Sequence, residues 1–401
     1  MTDSSSAAPV GEQLQSRRFL LLYALAVAGG AIAYVPFLTI LLPVRVEGMA
    51  DDQSVAWLAY IAFAGAIAAS LANIAFGWLS DITRNRRGWV LAGLVLSSTL
   101  LIVLASARSL PMIIGLLVAW QLALNMMLGP LAAWAGDVVP DRQKGTLGGL
   151  LAFAPAMGAL SGAFVTIPGV AGNDTRMVLV AGLVTICVLP VLVFGKPAQF
   201  PALTEPNTAP REKSHHSRRL VSRMWVARLL VQIAEAALFA YLYIWLRSIS
   251  PQIGDNDAAQ VFGIVLLLAV PVTMWTGRWA DRKDRPILPL GVAAGVSSAA
   301  LLVMAIAPDI TIALIGYAIF GLAAGVFLAL HSAQTLRVLP RPQNRGRDLG
   351  LFNLTNTTPS LIMPALTLTM VPTFDFAGLF VALAVLAAIA CLLLMTGRTS
   401  K

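Results

Sequence analysis

Charge is the scarcest commodity in this chain. Only 12% of its 401 residues are charged, against 58% hydrophobic. That is about half the roughly 25% charged content of an ordinary soluble domain. A soluble fold of this size could not bury so much apolar surface, so lipid must serve as solvent for much of it. Cysteine is nearly absent. Cys187 and Cys391 each sit inside an apolar run, which excludes a disulfide framework and a cysteine metal site. Histidine is limited to His215, His216 and His331. Neither HExxH nor a Walker A sequence occurs, which argues against a metalloprotease centre and a built-in ATPase, and no cofactor motif is found. The formal net charge of +9 could suggest nucleic acid, but its distribution points to orientation in a membrane, with no nucleic-acid partner.

What is present is a series of long apolar runs. A spanning helix needs about 20 predominantly apolar residues to cross a hydrocarbon core of about 30 Å. Twelve segments qualify: 19–43, 54–79, 89–107, 110–136, 146–168, 177–195, 224–248, 258–279, 287–307, 311–336, 349–372 and 377–396. The first is too long for the apolar region of a signal peptide, about 7–15 residues, so it is read as a retained helix. The expected fold is all-α, with twelve transmembrane helices in two six-helix halves. Residues 1–195 form the first half, 196–223 a linker rich in Pro, charge and His, and 224–401 the second half.

Lys and Arg alternate from loop to loop. One set of loops holds only Arg45, Arg108, Arg176 and Arg247; Arg228 lies inside the seventh segment. The other set, with both termini and the linker, holds all the rest. This bias predicts cytoplasmic termini in a bacterial inner membrane, and it supports the helix count, since one missed helix would scramble the alternation.

The halves also repeat. Gly77-Trp78-Leu79-Ser80-Asp81 closes the second segment, and Gly277-Arg278-Trp279-Ala280-Asp281 closes the eighth. Val139-Pro140-Asp141 through Gly145 follows the fourth segment, and Leu339-Pro340-Arg341 through Gly346 follows the tenth. Parallel repeats of six helices describe a transporter architecture with its site at the midplane between the halves.

The run from Gly77 to Gly88, with its G-x-L-S-D opening and Arg84, Arg86 and Arg87, resembles the cytoplasmic signature of the major facilitator superfamily. The copy from Gly277 to Arg285 is similar. The resemblance implies a secondary transporter working by alternating access, not an enzyme. A weaker likeness, in L-S-D-x-T-R and the 139–149 run, is to glycoside and sucrose-type cation symporters. It does not extend to sodium coupling: Ile82 stands where those proteins carry Arg, and the second segment has no Asp pair.

Physical chemistry gives the signature a task. Asp81 and Asp281, at helix ends, can accept from free N–H groups opening a helix of the other half. Gly77 and Gly277 would permit close helix approach. With Arg84 and Arg282 they form the expected cytoplasmic gate. Single positive charges there also serve orientation alone.

Glu235 is the one acidic residue in mid-segment, within Val231-Gln232-Ile233-Ala234-Glu235. A charge near the bilayer centre is costly, so such a residue is a functional candidate by default. Arg228, Gln232 and Glu235 fall on one helix face. The expectation is a proton-coupling carboxylate with Arg228 as its modulator; the alternative is a structural ion pair. Gln121 and Asn125, Gln232, Tyr34, His331, and Asn353 with Asn356 are the expected substrate contacts, because amides and rings suit a neutral polyhydroxyl ligand. Each could equally bond helix to helix. Gly29-Gly30, Gly129-Pro130, Pro155, Pro271, Pro359 and Pro364 mark possible bending points.

The resulting expectation is a monomeric, proton-coupled symporter of a sugar or other small polar solute. Proton-driven export of drugs or amphipathic metabolites is the alternative. A non-transporting sensor is the reading from another class, and a membrane enzyme would need clustered catalytic groups that one glutamate does not supply.

Overall fold

The computed structural model describes residues 14–140, 143, 147, 150–151, 153–200, 218–283, 285, 287–338 and 345–396. Within them, the side chains at 51, 173–174, 218–221, 281, 332–338 and 345–357 lie outside the description.

Hydrocarbon offers no hydrogen-bond partners, so a spanning backbone must satisfy itself, and an apolar chain does so as helix. The described residues are helical almost throughout and contain no strand. Helix α1 runs Arg17–Ala50, α2 Ser54–Thr83, α3 Arg86–Leu104, α4 Leu110–Val138 and α6 Asn173–Phe194. Helix α5 is described over Ala154–Val165. In the second half α7 is Arg218–Ile249, α8 Asp255–Arg282, α9 Leu288–Ala305 and α10 Ile310–Val338.

The last stretch, Arg345–Met395, is 51 residues of nearly continuous helix. At about 1.5 Å per residue it is far too long for one crossing. It breaks at Asp375, whose φ of 54° is left-handed. The break yields α11 (345–374) and α12 (376–395), and completes twelve helices. The short connections place α2, α4, α6, α8 and α10 with their C-termini at the end of the bundle holding both chain termini. This end carries most of the arginines and is called here the basic end; the opposite one is the far end.

Helix α1 is 34 residues long, about 50 Å, so its last turns stand clear of an apolar core. Its irregularity is local. Pro43 has no N–H to give the Thr39 carbonyl. The chain responds by winding Phe37–Leu41 as π-helix, with the Leu42 N–H on the Phe37 carbonyl. Gly29 and Gly30, marked in sequence as possible bends, are packing positions instead. A Cβ on Gly29 would stand 2.8 Å from the Cys187 side chain of α6, and one on Gly30 2.6 Å from Leu128 of α4.

In the first half α1 packs on α5 and α6, α2 on α4, and α3 on α4 and α6. In the second, α7 packs on the α11–α12 stretch, α9 on α10 and on that stretch, and α8 on α10. Two major seams join the halves. Helix α5 meets α8, and α2 meets the α11–α12 stretch, whose Ser360 and Met363 line a chamber with α2. Advancing each member of one seam by six helices produces the other, the arrangement expected of two parallel repeats about an axis along the membrane normal.

Candidate central cavity and its closures

Between the halves lies a cavity of about 450 Å³. Tyr34 of α1 and Pro155 of α5 line it from the first half. Gln232 and Glu235 of α7, Phe262 of α8 and Tyr317 of α10 are among its walls from the second. Most of the lining is aliphatic or aromatic.

Glu235 is the acidic group here. It makes no hydrogen bond or ion pair with any described residue, although Arg228, Tyr34 and Tyr317 stand within its electrostatic reach. The Oε1 of Gln232, one turn before it, is buried without a partner. Arg228 is only 5% exposed. Its Nη1 donates to the Leu328 carbonyl of α10 at 3.3 Å, so the guanidinium ties α7 to α10 beside the cavity. The α7 face that carries these three residues is therefore the cavity wall at Gln232 and Glu235, with Arg228 behind it.

A second chamber of about 180 Å³ adjoins the first, sharing Ala236, Phe239 and Ser360 with it. Its walls are Leu38, Leu58, Ile61, Leu117 and Met363, with Gln121 as a polar edge. Gln121 belongs to a buried amide chain. Asn125 Nδ2 donates to the Gln121 carbonyl at 2.9 Å and reaches Gln121 Oε1 at 3.4 Å, while Asn73 Nδ2 donates to Asn125 Oδ1 at 3.3 Å. Asn125 thus cross-links α4 and α2. His331 is buried and bonded through Nε2 to the Met224 carbonyl at 2.7 Å, stacked on Phe327, and outside the cavity lining. The side chains of Asn353 and Asn356 lie outside the described residues.

At the basic end, Asp81 pairs with Arg86, which also binds Asp137 at 3.0 Å. All three belong to the first half. Arg84 closes α2 in the left-handed conformation, with φ of 50°, and is exposed. A Cβ on Gly77 would meet nothing within 4 Å, whereas one on Gly129 would stand 3.2 Å from the Asn73 carbonyl. The close approach of α2 and α4 thus depends on Gly129. A Cβ on Gly277 would contact Leu330 at 3.2 Å. Arg282 is exposed, and the Asp281 side chain lies outside the described residues.

The far end holds what sequence reasoning missed. Arg176 of α6 pairs with Asp255 of α8. Asn256 Nδ2 donates to the Ala163 carbonyl at 3.0 Å and to Thr166 Oγ1 at 3.1 Å. Arg247 Nε lies 3.2 Å from Glu47 Oε1, and Tyr241 reaches the Val55 carbonyl at 3.5 Å. Among the described residues, every hydrogen bond and ion pair between the halves is at this end. No spacing signal could have found them, because Arg176 and Asp255 are 79 positions apart. Among the described residues no group of three His, Cys, Asp or Glu is placed to hold a metal ion.

Comparison with known proteins agrees with this architecture. The family model described as Major Facilitator Superfamily matches residues 19–335 and 253–401. Comparison with curated proteins gives no match. The crystal structure of the human organic anion transporter MFSD10 (TETRAN) is similar, at 15% identity and TM-score 0.65, covering 97% of this chain and 100% of that one. The crystal structure of a POT family transporter in complex with 5-aminolevulinic acid is similar at 12% identity and TM-score 0.72, with 94% of each chain covered. At these identities the likeness concerns the fold alone.

Proposed function

The chain belongs to the Major Facilitator Superfamily and is a membrane transporter, and from that premise we propose proton-coupled alternating access with Glu235 as the proton carrier. The observation that supports this reading is a carboxyl group on the wall of the central cavity, without a described hydrogen-bond partner. A carboxyl there can take a proton from whichever side the cavity opens to, and its charge state then biases which side opens next. Arg228 modulates that charge from behind the wall.

The arginine bias supports a cytoplasmic basic end, with both termini and the linker 196–223 between the halves on that side. On that orientation the bonded far end supports an inward-facing reading of this conformation. In the outward-facing one the basic end closes, and Asp81 and Asp281, with Gly77, Arg84, Gly277 and Arg282, are the proposed gate. Asp81 is already held by Arg86, itself shared with Asp137, so closure needs only a new acceptor–donor contact across the seam.

The walls also bear on the substrate. A sugar needs a dense set of hydrogen-bonding groups. Asn125 is engaged with Asn73 and Gln121, and His331 with Met224. The described lining offers chiefly rings and aliphatic groups around Gln232 and Glu235. It suits an amphipathic solute better than a sugar.

The test is substrate-driven proton flux in vesicles carrying a pH dye, with sugars and amphipathic solutes offered in turn. A substrate-dependent pH change lost in Glu235→Gln is the expected result. Substrate exchange that is insensitive to the proton gradient and to Glu235→Gln would overturn proton coupling.

A further inference from the structure

The cavity at Glu235 and the chamber beside it are neighbours, and their chemistry differs sharply. The larger part has a carboxylate with a ring of aromatic walls: Tyr34, Phe239, Phe262, Tyr317 and Phe320. Tyr34 and Phe239 have centroids 6.4 Å apart, and Phe239 and Phe262 6.0 Å in an edge-to-face arrangement. Aromatic faces beside a carboxylate attract organic cations and repel anions. The smaller part, between α2, α4, α7 and α11, is lined by leucine, isoleucine, alanine and methionine, with Gln121 at its edge. Phe239, Ala236 and Ser360 are common to both, so the two compartments lie side by side on the α7 and α11 walls.

We propose that these two compartments bind a single ligand, an organic cation with a bulky hydrocarbon body, its charge at Glu235 and its body in the chamber between α2 and α4. The proposal rests on reading the central cavity as the substrate site. No cationic side chain lines either compartment among the described residues. The groups that face Glu235 are Arg228, Tyr34 and Tyr317. Arg228 is directed to the Leu328 carbonyl and forms no ion pair with Glu235. That leaves the carboxylate able to accept a charged ligand from the cavity side. Apolar burial supplies the rest: hydrocarbon removed from water gains roughly 25 cal/mol per Å².

Equilibrium binding to the full chain in lipid nanodiscs, by calorimetry with empty nanodiscs subtracted, tests this. Three permanent ions serve as probes. Benzyltributylammonium has both charge and body, tetramethylammonium has charge alone, and benzenesulfonate has an apolar body with the opposite charge. The expected order is benzyltributylammonium at least tenfold tighter than tetramethylammonium, with benzenesulfonate not bound. Glu235→Gln should weaken benzyltributylammonium at least tenfold. Ala62→Phe fills the chamber and should lower the affinity ratio of the two cations at least tenfold. Ala69→Leu, a smaller change in the same wall, should lower it in the same direction and guards against misfolding of the first variant.

Absence of benzyltributylammonium binding, equal binding of the sulfonate, or an unchanged affinity ratio in both chamber variants overturns the proposal. Cation binding without proton-linked flux would sink the coupling reading and leave this one standing. Proton-linked flux of a solute that these cations do not displace would do the reverse.

Discussion

Removing the Asp255 charge should open the far end. Arg176 and Asp255 have side-chain exposures of 11% and 23%, so their pairing is neither fully screened nor fully buried. An exposed pair contributes about 0–1 kcal/mol. A hydrogen bond to a charged group contributes about 1.5–3 kcal/mol. The position between these limits suggests about 1–2 kcal/mol for Asp255→Asn, all of it lost from the far-end-closed state, because the two residues belong to different halves. That changes the closed-to-open ratio by a factor of about 5–30. Asn256→Ala removes two further bonds across the same seam, at 3.0 and 3.1 Å, for about 1 kcal/mol each. Spin labels at Ser109 and Pro308 report the opening. Both positions are exposed, at the far end, one in each half. Electron–electron resonance should show a longer-distance population in Asp255→Asn, larger again with Asn256→Ala. Arg176→Gln combined with Asp255→Asn should exceed neither single change by much, since the pair acts as one. An unaltered distance distribution in all three variants would refute the far-end lock.

Other consequences are quicker to check. Gly93→Ala should lower thermal stability by about 1–3 kcal/mol through overpacking, since its Cβ would run into the Met127 backbone nitrogen of α4. Gly77→Ala should be nearly silent in the same melt, because its Cβ meets nothing within 4 Å. His331→Ala should cost about 1–3 kcal/mol by stranding the Met224 carbonyl; a raised KM in the conservative His331→Gln at unchanged stability would instead make His331 a substrate ligand. Arg86→Lys should not restore what Arg86→Gln loses in thermal stability, because one ammonium cannot reproduce a planar fork that serves Asp81 and Asp137 together.

Much of the fold was legible because the membrane enforces a simple rule. Every crossing must be a run of apolar residues, and the arginines label alternate ends. The sequence boundary between the last two helices, 372 to 377, brackets the break at Asp375. Local irregularity was less readable. Gly29-Gly30 reads as a bend and is a packing face, while the actual deviation lies at Phe37–Leu41, just before Pro43. The site was legible where one helix supplies it: Gln232 and Glu235 sit three residues apart, so a helical wheel puts them on one wall. The rings opposite were not. Tyr317 and Phe262 are ordinary apolar-run residues until the fold turns them inward, and hydropathy carries no information on rotation.

The same distinction explains why the two ends of the molecule differ in how they can be read. The basic-end signature is read from residues close in sequence: Asp81 and Arg86, which pair, are five positions apart. Such a motif is visible as a pattern, and its opening glycine and closing aspartate recur at Gly277 and Asp281. The far-end lock joins α5 and α6 to α8, and α1 to α7, each contact coming from a different half. It has no repeat partner, because a contact across the pseudo-twofold is made once per seam by whichever residues face each other there. Its arginines, Arg176 and Arg247, are two of only four on that side. The positive-inside rule makes any arginine there run against the orienting bias. Arg176 and Arg247 are where the two halves hold each other, whereas Arg45 serves the Ala105 and Ala107 carbonyls of its own half.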